Sequence, residues 1–176
     1  MNRLLILLLI AFAPAALAQS QQPYAGLEGR SIKALSEQQI ADLRAGRGMG
    51  LALAAELNGY PGPLHVLEFA NDLDLTSQQR AKVQELFAAM KAEAIPLGER
   101  LIAQEVDLDK QFANQTITPA SLAASTDAIG ITHAALRQAH LKYHLSTVEL
   151  LTPAQVQRYG ELRGYKSGMQ HSHGRR

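Results

Sequence analysis

The chain has 176 residues, a formal net charge of +1 and no cysteine. That length is one domain's worth. The missing cysteines exclude a disulfide scaffold, thiolate zinc sites and Cys-linked haem, and a balanced charge without a basic stripe argues against nucleic acid as a partner.

Met1-Asn2-Arg3 is a short basic region, Leu4 to Phe12 an apolar run, and Ala16-Leu17-Ala18 a small-x-small cleavage pattern before polar Gln19-Ser20-Gln21-Gln22. This order predicts a cleavable signal peptide over 1–18, with an apolar run too short for a stable membrane span. Arg3 is its only charge, so the remainder balances 16 basic against 16 acidic residues. An exported, cysteine-free, helix-rich chain fits the periplasm, where a stray thiol would be oxidised.

Residues 19–34 carry Pro, Gly and polar side chains and are expected to be flexible. Residues 35–165 form the expected single helical domain. Leu35-Ser36-Glu37-Gln38-Gln39 is a capping box that starts a helix. Gly46, Gly48 and Gly50 then break it, or mark a place where another backbone comes close. Leu51 to Leu57 reads helical, Asn58 to Pro63 is a stop, and Pro63 opens a short helix to about Leu73.

The centre of the chain lies between Leu75-Thr76-Ser77-Gln78-Gln79 and Leu151-Thr152-Pro153-Ala154-Gln155. Both read Leu-Thr-x-x-Gln, with Thr as N-cap and Gln at N3 reaching back to the cap N–H. The first predicts a helix from Thr76 to about Asn114, with Val83, Leu86, Met90, Leu97, Leu101, Leu108 and Phe112 as its apolar stripe. Pro96 is expected to kink this helix without ending it. Thr118-Pro119 starts a second long helix to about Leu150, with Leu122, Ile129, Leu136, Tyr143 and Leu150 at intervals of seven. The connection is short, so the two should be antiparallel neighbours. Thr152 caps a last helix ending near Arg163-Gly164, and 166–176 is expected to be a disordered tail carrying Met169, His171 and His173. No stretch alternates as a strand would. The expected fold is all-α: a long antiparallel hairpin with shorter helices packed on it.

Histidine is the most informative polar residue type. By helical period His140, His133 and His144 run along the margin of the second stripe, and His140 and His144 at i and i+4 can share one ion. His65 and Glu68, at i and i+3, form a second half-site, and the tail's His-x-His can bind Cu²⁺ or Ni²⁺ weakly. The plain alternatives are solvated imidazoles on a helix margin, a His65 that packs and a Glu68 that faces water. Catalysis finds no support. There is no phosphate loop after a strand, no Gly-x-Ser-x-Gly elbow, and His140-Leu-Lys-Tyr-His144 lacks the glutamate of a metalloprotease helix.

With its two Leu-Thr-x-x-Gln motifs bracketing a helical pair, the chain resembles the Spy/CpxP family of periplasmic stress proteins over residues 35–163. It is similar also to the related heavy-metal sensor and zinc-resistance proteins of the CnrX and ZraP types. The resemblance implies four main helices around a long hairpin, usually as a curved dimer. It implies ATP-independent binding of unfolded proteins in some members, and binding of nickel, cobalt, zinc or copper in others. In the sensor type the ligands are His pairs at i and i+4 with a carboxylate and a thioether. His140 and His144 match such a pair and Glu68 matches the carboxylate, with His133 or His65 to complete the set. Here the pair lies on the second long helix, and a His-x-x-x-Met partner is absent. The expected function is metal binding by a periplasmic sensor or resistance protein, as a homodimer with a membrane signalling partner. The other expectation is a periplasmic holdase whose partners are unfolded clients.

Overall fold

The computed structural model describes residues 24–165. The expected signal peptide and the expected tail, with Met169, His171 and His173, lie outside these residues. Six helices are present among the described residues: α1 (Glu37–Arg44), α2 (Leu53–Glu56), α3 (Pro63–Glu68), α4 (Ser77–Ala113), α5 (Pro119–Leu150) and α6 (Pro153–Leu162). None of them is long and apolar enough to cross a membrane.

The caps lie where the sequence places them. Ser36, Thr76, Thr118 and Thr152 each accept from the N3 backbone N–H, and the N3 side chain returns a bond to the cap N–H. At 37 residues α4 is about 55 Å long, and it runs through Pro96 without a break. Helix α6 closes on a Schellman turn. Gly164 takes φ +74°, its N–H reaches the Glu161 carbonyl at 3.0 Å, and the Tyr165 N–H reaches the Gly160 carbonyl at 2.9 Å.

The two Leu-Thr-x-x-Gln motifs meet. Gln79 Nε2 donates to Gln155 Oε1 at 2.9 Å, and Gln155 Nε2 donates to Gln79 Oε1 at 3.1 Å. Each amide also donates to a backbone carbonyl, Gln79 to Leu150 and Gln155 to Leu73. The leucines of the motifs join one core cluster: Leu151 is buried in it with Val66, Leu73, Val83 and Tyr159, and Leu75 packs against it. So each motif does three things at once: it fills the core, caps a helix and ties two distant segments.

A second cluster holds Ile32, Ile40, Leu43, Ala94, Leu101, Ile102 and Leu136. Ile32, only 5% exposed, lies inside the stretch expected to be flexible, so that stretch is anchored by burial before α1 begins. Polar contacts join Glu93 to Tyr143 and Gln111 to Ser125 across α4 and α5. The closest backbone approach in the region occurs at Gly98, not among the three glycines after α1. A Cβ built there would stand 2.6 Å from the Leu43 carbonyl oxygen. Helix α1 therefore ends directly on α4, and only glycine fits beneath it.

The shorter helices fall short of expectation. Helix α2 spans Leu53–Glu56 and α3 ends at Glu68, each followed by turns. The stripes are also only partly covered. Phe112 is 54% exposed and Leu122 38%, both close to the 114–118 connection.

Candidate metal centre

Along α5 the apolar packing changes hands. Leu136 belongs to one cluster and Leu150 packs against the other, and His140 and His144 stand between them in the chain. On α4, Met90 occupies the same interval, between Val83 and Ala94. A cavity of about 220 Å³ opens there. Its lining includes Glu56, His65, Met90, His140 and His144, with Met49, Leu53, Leu64 and Tyr165 also on its wall.

Glycine makes the room. A Cβ on Gly62 would meet His144 Cε1 at 2.7 Å, and a Cβ on Gly48 would meet His140 Nδ1 at 3.4 Å. The rings therefore sit in the buried face of α5, not on its margin as the helical period suggests. His140 is 2% exposed and His144 7%. The break after α1 and the stop before α3 supply the small residues that accept them.

The two rings are held differently. His144 Nδ1 lies 2.7 Å from the Tyr60 carbonyl oxygen. A carbonyl only accepts, so Nδ1 carries a proton and Nε2 is the ring nitrogen left to act as a ligand. That is the arrangement of a metal-binding imidazole oriented by a backbone acceptor. His140 Nε2 is buried and has no hydrogen-bond partner. Burial, and then the neighbouring His144, push the His140 pKa below its ordinary value, so this ring is neutral near pH 7.

The acid in the cavity is Glu56, not Glu68. Glu56 is 7% exposed. Its Oε1 accepts from the Tyr159 hydroxyl and, at 3.0 Å, from the Tyr165 hydroxyl, with Arg163 Nε at 3.3 Å. Burial, then the bond to Glu56, raise the Tyr159 pKa far above the ordinary phenol value, so the phenol stays the donor. Glu56 Oε2 is buried without a hydrogen-bond partner, 3.7 Å from His144 Nδ1. Burying an imidazole nitrogen unpaired costs about 1–3 kcal/mol, and a carboxylate oxygen more.

The other expected ligands separate. His65 lines the cavity, but its Nδ1 is 2.7 Å from Glu68 Oε2. Glu68 is exposed and does not line the cavity. His133 is exposed too, beside Glu105, about 10 Å along the α5 axis from His140. Among the described residues no three His, Asp or Glu side chains converge closely enough to hold one ion as they stand. The donor chemistry nonetheless suits a transition ion: the residues lining one cavity include two histidines, a buried glutamate and Met90. Their convergence requires side-chain rotation within it.

Sequence reasoning missed Glu56, Met90, Tyr159, Arg163 and Tyr165 as site residues. Glu56 did leave a signal, as the lone charge in the apolar run Leu51 to Leu57. Met90 left none, because a methionine in a stripe reads as packing. Comparison with protein-family models, curated proteins and solved structures finds no match for this chain.

Proposed function

We propose that this is a periplasmic heavy-metal-binding protein of the Spy/CpxP type, a sensor or resistance protein and not an enzyme. It binds a divalent transition ion (Ni, Co, Zn or Cu) through His140 and His144, with Glu56 and Met90 completing the set. What supports this reading is that two residues lining one cavity, His140 and Glu56, each hold a buried polar atom without a hydrogen-bond partner (Nε2 and Oε2), beside a pre-oriented His144. Bound there, the ion would supply positive charge and a link between α5 and α2. The chain's own residues fix the His144 tautomer, keep His140 neutral and limit water. Export rests on the three-region pattern of residues 1–18. The antiparallel hairpin of α4 and α5 is supported by contacts that pair Gln79 with Leu150, Glu93 with Tyr143, and Gln111 with Ser125.

Calorimetric titration with Zn²⁺ and Ni²⁺ tests the metal reading. The full chain should evolve heat that a His140→Gln/His144→Asn variant lacks. Equal heats would exclude the buried pair and leave His65, His133 and the tail histidines as ligands. Asn at 144 keeps a donor for the Tyr60 carbonyl, so a folding loss is not confused with a ligand loss.

A holdase reading has its own observation. Met49, Leu53, Leu57, Tyr60 and Leu64 are exposed on and around α2 and α3, an apolar surface suited to a second copy or an unfolded client. Light scattering of an aggregating client should then fall with added protein whether or not metal is present.

A further inference from the structure

The two oxygens of Glu56 lead different lives. Oε1 is crowded by Tyr159, Tyr165 and Arg163, and Oε2 has no hydrogen-bond partner and lies 3.7 Å from His144 Nδ1. Tyr165 and Arg163 belong to the Schellman turn that ends α6, and Arg163 Nε also donates to the Tyr165 hydroxyl at 2.9 Å. The Arg163 guanidinium lies 5.5 Å from the Tyr165 ring centroid. Thus one carboxylate joins the cavity to the last turn of the described chain. Tyr165 is held to the rest of the protein at its tip through that carboxylate.

We propose that Glu56 is a shared latch: cation binding beside His140 and His144 draws its carboxylate into the cavity and releases the turn Arg163–Tyr165. This deepens the metal reading and rests on it. Two effects act together. An ion that captures Oε2 turns the carboxylate away from the two phenols and takes up its charge. The same ion places positive charge near the Arg163 guanidinium, which shares the cavity wall, and like charges in a partly desolvated site repel strongly. The Tyr159 hydroxyl sits inside the core and stays with its helix. Tyr165, 37% exposed, is free to leave. The cavity's occupancy is thereby delivered to the segment beyond Tyr165 without any movement of the α4 and α5 pair.

The test is hydrogen exchange by mass spectrometry on the full chain carrying His171→Ala and His173→Ala, with Zn²⁺ as the probe and calorimetry in parallel. The amides of Gly164 and Tyr165, bonded to Glu161 and Gly160, should exchange several-fold faster with zinc, and α5 amides should not. Tyr165→Phe should show the fast exchange without zinc and no further response. If that variant loses helicity by circular dichroism, Arg163→Gln replaces it and should abolish the zinc response. Zinc heat that depends on His140 and His144, with unchanged or slower exchange at 164–165, overturns the latch and leaves the metal reading standing. Absence of that heat overturns both.

Discussion

A buried imidazole nitrogen without a partner is a cost that packing alone would not retain. If the cavity serves no ligand, His140 is simply a poor core residue. Replacing it by an apolar side chain removes the unpaired atom. His140→Leu should therefore raise stability by about 1 kcal/mol in metal-free buffer, read as a higher midpoint in urea. A lower midpoint would mean that His140 already has a satisfying partner. The same ring sets a pH dependence. Its folded pKa is lowered by burial and by His144, so the folded state resists its protonation. Its stabilising neutral form is intact above about pH 6.5. Stability then falls as pH drops from there through the lowered folded value. Urea midpoints at pH 7.5 and 5.5 should differ more in the wild type than in His140→Leu. Equal differences would assign the loss to other groups. At this scale the sequence revealed residue type and spacing but not depth. His140 and His144 looked like margin residues because the partners that bury them, Gly48 and Gly62, lie far along the chain. Nothing in a helical period reports what faces a helix.

Elements were far more legible. All four side-chain caps could be read directly, and α4, α5 and α6 begin within a residue of their predicted starts. Capping is local chemistry, and three or four neighbouring residues contain it entirely. What remained hidden was the second use of the motif glutamines. Gln79 and Gln155 are 76 positions apart, yet each donates to the other. A double-mutant cycle should show this. Gln79→Ala and Gln155→Ala should each destabilise by about 1–2 kcal/mol. The double variant should lose clearly less than their total, by a coupling of at least about 0.5 kcal/mol. Strict additivity would mean that each glutamine acts only as a cap. Gly98 supplies a control away from the cavity. Gly98→Ala forces a methyl group against the Leu43 carbonyl and should cost about 1–3 kcal/mol, with no effect on zinc heat. Helices α2 and α3 came out shorter than expected. Their short apolar runs serve as walls for the cavity as well as turns of helix, and periodicity cannot distinguish the two uses.

As a whole the described chain is two apolar clusters on a pair of long helices, with a largely apolar cavity between them that holds a few polar groups. Phe112, Leu122 and Ile131 remain exposed on the long helices, Leu53 and Leu64 on the short ones, and Leu57 at the end of α2. We propose that such surface is covered in a homodimer. Sedimentation at micromolar concentration should give a dimer that Leu53→Glu or Phe112→Glu weakens, and a monomer at all concentrations would contradict it. We propose, more narrowly, that the cavity on α5 is a metal seat. Its most direct measurement is ¹⁵N NMR of the imidazole nitrogens of the full chain during zinc titration near pH 7. The claim predicts that His140 Nε2 and His144 Nε2 shift on stoichiometric zinc, while His144 Nδ1 keeps its proton on the Tyr60 carbonyl. Shifts confined to His133, His171 and His173, with the two buried rings unmoved, would contradict it.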